Sequence, residues 1–398
     1  MAWRITSLLL NLAHAIDHLM LLVFATAVAA IARDFGLGRW EDLMPYTTGA
    51  FVMFGIGSLP SGRLGDLWGR RAMMLVFFFG IGASALLIAA TQNVWQLALA
   101  LGVMGAFASI YHPVGIPMLL RHAVKPGLTI GVNGMAGNLG IAAAAISTGF
   151  FIQYTDWRTA FVVPGLASIA CGLAFMKFAP VEDGAPGKRT ARQIALPPAT
   201  RNRVFLVMTM LAITSSILFN FTTNGNGELL KARLPILVEQ PALLGMLLAV
   251  VYALSSLSQL AVGRMIDRFP IRNVMLGIIA CQGPVFLLAA FSQGWALYLS
   301  MIVFMVLVFG SIPFTDAIIA RFVDDSIRSR VSGVRLAVSF GVSSMAVWAL
   351  GPAVKAAGFG VALTVLSAVA IVSLLITLQL PDERSIRTAT EAHGAQAA

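Results

Sequence analysis

Long apolar segments alternate with short polar stretches along the whole chain. Each segment is long enough to cross the hydrocarbon core of a bilayer, which is about 30 Å thick and takes about 20 helical residues. The short segments of alternating polarity that are typical of transmembrane strands are not seen. The pattern predicts an all-α membrane protein with twelve transmembrane helices. We number them spans 1 to 12, over residues 5–32, 43–62, 72–91, 95–119, 127–152, 158–178, 204–227, 243–263, 273–291, 295–320, 331–353 and 358–380.

The twelve predicted spans form two groups of six with an internal repeat at an offset near 200 residues. Parallel repeats of this kind are typical of secondary transporters, which bind substrate between the halves near the middle of the bilayer. We therefore predict an N-terminal six-helix bundle over 1–178, a cytoplasmic linker over 179–203, a C-terminal bundle over 204–380 and a cytoplasmic tail over 381–398. The repeated stretches are Gly62-Arg63-Leu64-Gly65-Asp66 with Gly263-Arg264-Met265-Ile266-Asp267 in the loops after spans 2 and 8, Ser109-Ile110 with Ser311-Ile312, and Gly131-Val132-Asn133 with Gly333-Val334-Arg335.

Composition excludes an ordinary soluble enzyme. Of the 398 residues, 58% are hydrophobic and 11% are charged, whereas soluble domains carry about 25% charged residues. Cys171 and Cys281 both lie inside apolar segments and show no metal-binding spacing. Residues 1–30 could pass for a signal peptide, but the apolar stretch is too long and contains ionisable residues, so we predict an uncleaved first span.

The net charge of +10 is explained by topology, so we expect no nucleic-acid partner. Positive residues concentrate in the cytoplasmic loops of membrane proteins. With twelve spans both termini lie on one side, and all but six of the 27 Lys and Arg residues fall on that side. We predict a multi-pass protein of the cytoplasmic (inner) membrane with both termini in the cytoplasm. The six exceptions are Arg33, Arg39, Arg158, Lys231, Arg233 and Lys355.

The repeated stretch resembles the signature of the major facilitator superfamily, Gly-x-x-x-Asp-Arg-x-Gly-Arg-Arg/Lys between spans 2 and 3. Leu67 replaces the usual arginine in the first copy, while the second copy keeps it as Arg268 and loses the later glycine. The resemblance implies the major facilitator fold, with spans 1, 4, 7 and 10 lining a central cavity, and transport by a monomer. It also implies that the motif opens and closes the cytoplasmic side, a gating role for Gly62, Asp66, Gly69, Arg70, Arg71, Asp267 and Arg268.

Three shorter stretches resemble the fosmidomycin-resistance branch and its drug–proton antiporter neighbours. They are His14-Ala-Ile-Asp17-His18 in span 1, Ser109-Ile-Tyr111-His112-Pro113 in span 4, and the glycine-rich run from Asn133 to Gly140 in span 5. The family's antiporters often carry an arginine in the middle of span 4. His112 stands in that span here, so details of their proton coupling do not carry over.

Ionisable residues inside the predicted spans indicate proton coupling. His14, Asp17 and His18 share one helix face at i, i+3 and i+4. Asp17 follows Arg4 by about 20 Å of helix and so lies near the middle of the bilayer. Ionisable groups at that depth are functional by default. We predict that Asp17, with His14 or His18, carries the proton, and that Asp316 is either a second proton site or a partner of Arg321.

Other polar residues of spans 4, 5, 7 and 11 are candidates for substrate binding, although structural hydrogen bonds would explain several equally well. Pro113 frees a backbone carbonyl and predicts a bend beside His112. Asn224 to Glu228 reads as an irregular turn at the end of span 7 that could act as a hinge. The substrate-binding candidates are His112, Tyr111, Asn133, Asn138, Asn220, Asn224 and Arg335.

These observations predict a secondary active transporter, not an enzyme, that moves a small organic solute outward by alternating access coupled to protons. We expect no cofactor, and we expect the substrate, protons and the lipid bilayer as partners. Uptake of a small metabolite by proton symport is an alternative that differs from this prediction only in the direction of transport. A divalent transition-metal ion is the alternative cargo, because His14, Asp17, His18 and His112 offer imidazole and carboxylate ligands. A receptor that transports nothing is a further alternative. It would need a sizeable domain outside the membrane, and the predicted tail over 381–398 is short.

Overall fold

The computed structural model describes residues 2–121, 123, 126–181, 198–322 and 325–381. Several consecutive helices are joined by short connections, such as the single residue between Trp68 and Arg70 and the two residues between Arg268 and Ile271. The described spans are Ala2–Asp34, Thr48–Trp68, Arg70–Ala89, Val94–Leu120, Pro126–Tyr154, Thr159–Phe178, Pro198–Arg233, Pro241–Arg268, Ile271–Phe291, Gly294–Phe322 and Asp325–Leu378. We keep the numbers 1 to 10 for the first ten of these.

The longest helix comprises two spans. Asp325–Leu378 is broken at Gly358, whose φ of 76° and ψ of 168° are not helical. Span 11 therefore covers 325–357 and span 12 covers 359–378. Ten helices of the described part are long and apolar enough to cross a membrane, and this number counts spans 11 and 12 together as one helix. Thr48–Trp68 packs among them against spans 4 and 11, and the predicted all-α fold with twelve helices is confirmed.

Span 2 differs from its predicted bounds at both ends. It begins at Thr48 because the preceding residues fold into two 3₁₀ turns, Trp40–Asp42 and Met44–Thr47. It continues to Trp68, so the stretch 62–66 is helical, and the expectation that it forms a loop was wrong. The equivalent stretch 263–267 likewise lies inside Pro241–Arg268. The turn between spans 2 and 3 is made by Gly69, whose φ of 89° suits glycine alone.

Span 7 has no hinge at the predicted place. The helix is continuous to Arg233, and the expected irregular turn at 224–228 was wrong. Asn224 donates from Nδ2 to the carbonyl of Asn220 at 2.9 Å, and Tyr252 donates to the carbonyl of Thr223 at 3.2 Å. Inside a bilayer an unsatisfied backbone group is costly, so the helical pattern persists through Gly225 and Gly227.

The internal repeat is also seen in side-chain contacts. At the start of span 3, Arg71 donates to the carbonyls of Met176 (2.6 Å) and Ala179 (2.9 Å) at the end of span 6. At the start of span 9, Arg272 donates to the carbonyl of Leu378 (3.1 Å) at the end of span 12. A cationic side chain offsets the unpaired carbonyls of a helix C-terminus. Each half therefore uses one arginine to fix its last helix.

The two halves meet along spans 5 and 8 and along spans 2 and 11. Gly149 and Gly245 allow the backbones of spans 5 and 8 to touch, since a Cβ on Gly149 would come within 2.9 Å of the Cα of Gly245. We call the side that carries residues 35–47 the 35–47 face. There the halves are joined by an ion pair of 2.5 Å between Lys355 and Asp42. The predicted linker and tail lie mostly outside the described residues.

Candidate functional site

Spans 1 and 4 bring five of the predicted residues into one cluster, which we call the His/Asp cluster. The ring of His14 lies 4.7 Å from that of His18 and 5.0 Å from that of His112, between centroids. Tyr111 stacks on His14 at 4.7 Å. Asp17 is fully buried. The sequence predicted that His14, Asp17 and His18 share one face of span 1. The fold brings Tyr111 and His112 of span 4 against that face.

A local irregularity of span 4 positions His112. Residues Tyr111–Gly115 form one π-helical turn between Val94–Ala108 and Ile116–Leu120. Pro113 has no backbone N–H and cannot continue the α-helical hydrogen bonds, and single π turns often occur at functional sites. The π turn lies at the position where the sequence predicts a bend. His112 Nε2 lies 3.7 Å from Asp17 Oδ2, outside direct hydrogen-bond distance but close enough for an electrostatic interaction.

Hydrogen bonds define which nitrogen of His14 is available. His14 Nδ1 lies 2.7 Å from the carbonyl oxygen of Asn133, and because a carbonyl only accepts, Nδ1 carries the hydrogen. In the neutral ring Nε2 is then unprotonated, and it is buried with no hydrogen-bond partner in the described part of the chain. The second nitrogen of His14, which packs beside Gly137 of span 5, therefore carries a lone pair that accepts no hydrogen bond from the described residues.

Hydrogen bonds of Asn133 and Tyr111 stabilise the position of His14. Asn133 Nδ2 donates to the hydroxyl of Tyr111 at 2.7 Å and to Oδ1 of Asn11 at 2.9 Å. The hydroxyl of Tyr111 in turn donates to the carbonyl of Leu10 at 2.9 Å. Asn11 was missed by sequence reasoning, although its position three residues before His14 places it on the same helix face. These bonds make Asn133 and Tyr111 supports for His14.

Asp17 lacks hydrogen bonds within the described residues. Both carboxylate oxygens are buried and neither has a hydrogen-bond partner there. A buried carboxylate in that setting needs either a proton or a positively charged partner. His14, His18 and His112 are the neighbouring groups that can supply one.

The C-terminal half reaches the cluster through span 11. Phe340 lies 4.5 Å from Phe54 and 6.4 Å from His112, and Phe54 lies 5.8 Å from His112, all between ring centroids. Arg335, little more than one turn before Phe340, interacts electrostatically with His112. The His/Asp cluster thus lies against the junction between the halves, as the parallel repeat predicts.

Other predicted substrate residues are not part of this cluster. Asn220 donates to the hydroxyl of Ser343 at 2.7 Å, and Asn224 bonds within its own helix, so both belong to a polar group of the C-terminal half. Asn138 is buried in span 5, and no hydrogen bond among the described residues joins it to the cluster. The side chain of Asp316 lies outside the described residues.

The motif residues lie at the opposite end of the molecule from the 35–47 face. Asp66, Asp267 and Arg268 are exposed, and within the described residues the two aspartates form no ion pair. Gly62 approaches Pro113, with a Cβ to Cβ distance of 3.4 Å if it were alanine. The motif therefore contacts the helix that carries His112, and its gating role stays a prediction.

These features describe a twelve-helix membrane bundle of two similar halves, with a buried ionisable site in one half against its junction with the other, which is the architecture of a secondary transporter. The sequence profile described as Major Facilitator Superfamily matches residues 10–237. That is more than half of the chain, which belongs to this superfamily of membrane transporters.

Comparison with individual proteins agrees with the family. The chain is 29% identical over 157 residues to the puromycin resistance protein pur8 of Streptomyces alboniger, covering 37% of this chain and 30% of that protein. It is 27% identical over 181 residues to the tetracenomycin C resistance and export protein of Streptomyces glaucescens, covering 43% and 33%. The match thus spans about a third of the length of these curated relatives.

A solved structure is similar over nearly the whole chain. The xylose transporter XylE from E. coli, in a partially occluded inward-open conformation, superimposes with a TM-score of 0.75 at 13% identity. The similarity covers 96% of this chain and 98% of that one. At this identity the likeness establishes the fold alone.

Proposed function

We propose that this protein is a proton-coupled transporter of the drug–proton antiporter branch that exports a small organic solute across the cytoplasmic membrane. The observation that carries the proposal is Asp17, a fully buried carboxylate without hydrogen bonds in the described part of the chain, 3.7 Å from an imidazole. The export direction is supported by the matches to the puromycin resistance protein and the tetracenomycin C export protein.

The cluster has the parts that a proton carrier needs. The proton resides on the Asp17 carboxylate in one state, and His112 Nε2 or His14 Nε2 accepts it in another. The bond from Nδ1 of His14 to Asn133 leaves its Nε2 as the nitrogen that can accept a proton. Since the cluster contacts span 11 through Phe340, a movement between the halves changes access to Asp17 from either side of the membrane.

Substrate binds in the same place in this proposal. His112 presents its imidazole from the N-terminal half beside Tyr111, which supports His14, and Arg335 and Phe340 approach from the C-terminal half. Substrate and proton then compete for one charged region, which couples their movements in opposite directions. The motif residues at the end of span 2 act as the gate of the cytoplasmic side.

The test is transport by purified protein in proteoliposomes with a pH-sensitive dye inside. Puromycin and tetracenomycin C are the first compounds, followed by a broad panel. We expect substrate-dependent proton movement that is lost in Asp17→Asn and retained in Asp34→Asn, a matched change of an aspartate at the far end of the same helix. Unaltered coupling in Asp17→Asn would remove this residue from the mechanism, and substrate moving with the proton would reverse the direction.

A transition-metal ion as cargo is the second candidate, and one observation favours it. His14, His18 and His112 each offer one nitrogen, and these atoms all lie within 4.8 Å of one another. Three imidazoles beside a carboxylate suit Zn²⁺, Co²⁺ or Ni²⁺. Calorimetric titration of the purified protein with these ions tests it. Metal cargo requires saturable binding that His18→Gln weakens, and a flat titration excludes it.

A further inference from the structure

Two buried polar atoms without hydrogen bonds lie against span 5, and each comes from a different half of the molecule. His14 Nε2 of span 1 accepts no hydrogen bond from the described residues, and Gln259 Nε2 of span 8 donates none to them. Span 5 packs against both of these helices. An unpaired polar atom inside a membrane bundle costs free energy. One of the two atoms is an acceptor and the other is a donor.

Span 5 carries a row of glycines that passes from one half of the molecule to the other. Glycine recurs at every third residue, at positions 131, 134, 137 and 140. Since an α-helix has about 3.6 residues per turn, each of these glycines is rotated by about 60° around the helix axis from the one before it. The first two approach span 8, and the last two approach span 1. Between positions 134 and 137 the row therefore crosses the face of span 5 on which the two halves meet.

Gln259 and His14 lie on either side of that crossing. A Cβ on Gly134 would be 3.2 Å from Gln259 Oε1, and a Cβ on Gly137 would be 2.7 Å from His14 Nε2. Helix positions three residues apart have Cβ atoms about 5–6 Å apart. An oxygen that accepts from one nitrogen and donates to another reaches over about 5.5 Å. The spacing of the two glycines is thus on the scale that one hydroxyl bridges.

The group that satisfies both nitrogens has to accept one hydrogen bond and donate another. A hydroxyl does both through a single oxygen. An ether or a ketone only accepts, so it would leave His14 Nε2 unpaired, and an ammonium group only donates, so it would leave Gln259 Nε2 unpaired. An amide or a carboxylic acid needs two heavy atoms to do the same, and both nitrogens are enclosed. The pair therefore favours an alcohol or a phenol.

From this arrangement we propose that Gln259 and His14 form a subsite for a hydroxyl group of the transported solute, whose class is a hydroxylated organic compound. The proposal rests on the transport function proposed above, which places the solute at the His/Asp cluster. Because the two residues belong to different halves, movement between the halves separates them and releases the hydroxyl. A buried water has the same hydrogen-bonding capacity and is the other source of such an oxygen.

Calorimetric titration of the purified protein in nanodiscs with three related amines tests the subsite without any transport measurement. The hydroxyl of tyramine donates and accepts, the oxygen of its O-methyl ether only accepts, and phenethylamine lacks this oxygen. All three share an ammonium group that is complementary to the Asp17 carboxylate. We expect tyramine to bind about tenfold more tightly than either of the others, equivalent to 1.4 kcal/mol. In Gln259→Met this preference should disappear.

Thermal unfolding of the ligand-free protein tests the same residue in a second way. An unpaired buried amide is destabilising, so Gln259→Met should raise the midpoint of unfolding. If Gln259 instead holds a structural water, the same variant should lower the midpoint. Gln153→Met is the matched control, because Gln153 is exposed near the other end of span 5. This control should change neither the midpoint nor the preference for tyramine.

Each result counts for or against the subsite. Equal binding of tyramine and its O-methyl ether to the wild-type protein, or binding of none of the three amines, overturns it. A preference for tyramine that survives in Gln259→Met overturns it too, and a lowered midpoint of that variant assigns the oxygen to water. The proposed function fails separately, because a preference that persists in Asp17→Asn supports the subsite even where this variant still couples transport to protons.

Discussion

His112 Nε2 and Asp17 Oδ2 lie 3.7 Å apart, although one belongs to span 4 and the other to span 1. The π turn at Tyr111–Gly115 places the imidazole there. Because neither oxygen of Asp17 has a hydrogen bond within the described residues, His112 is the nearest described group that can compensate its charge. The two side chains should therefore act as one unit.

A double-mutant cycle measures that coupling. Asp17→Asn and His112→Gln should each lower proton-coupled transport in proteoliposomes by about tenfold or more, and the double variant should be no worse than either one, because contacting residues with one role are not additive. Losses that multiply in the double variant would mean that the two residues act independently.

Gly137 keeps room for the ring of His14. A Cβ on Gly137 would lie 2.7 Å from the imidazole, so Gly137→Ala should displace the ring and lower transport by about tenfold, in line with an overpacking cost of about 1–3 kcal/mol. Gly131→Ala is the control in the same helix, since its nearest atom would be 3.9 Å away. Equal transport in the two variants would show that the position of His14 is unimportant.

The contact between Asp42 and Lys355 joins the halves at the 35–47 face. A covalent link between cysteines at these two positions should stop transport, because alternating access requires the halves to separate there. The experiment uses a background in which the free Cys171 and Cys281 are serine, with a short bifunctional reagent. Cysteines at Arg39 and Glu41, which pair within one loop at 2.6 Å, are the control. Transport that continues after linkage between the halves would contradict the expected movement.

Arg71 and Arg272 stabilise the last helix of each half. Arg71→Ala removes two hydrogen bonds to helix-terminal carbonyls and should lower the free energy of unfolding by about 1 kcal/mol, with a smaller effect for Arg272→Ala. Thermal unfolding in detergent checks this. Arg264→Ala, whose bond goes to its own helix, should leave the midpoint unchanged. A drop for Arg264→Ala equal to that for Arg71→Ala would point to a general charge effect.

The sequence predicted the membrane helices more accurately than the residues at which they begin and end. Twelve apolar segments were visible because each must match the thickness of a bilayer. The bounds of span 2 were wrong because residues 40–47 fold into 3₁₀ turns that composition does not distinguish from a membrane helix. The turn expected at 224–228 was wrong because burial of the backbone in a packed bundle overrides the local preference of Asn and Gly.

By itself the sequence determined the membrane class, the two similar halves and the helix face shared by His14, Asp17 and His18, since these follow from hydrophobicity and from a period of 3.6 residues. Only the tertiary structure decided that His112 reaches Asp17, that Asn133 fixes the hydrogen of His14 on Nδ1, and that Phe54 and Phe340 meet beside His112. Each of these contacts joins different helices, and no local pattern encodes the distance between side chains far apart in the chain.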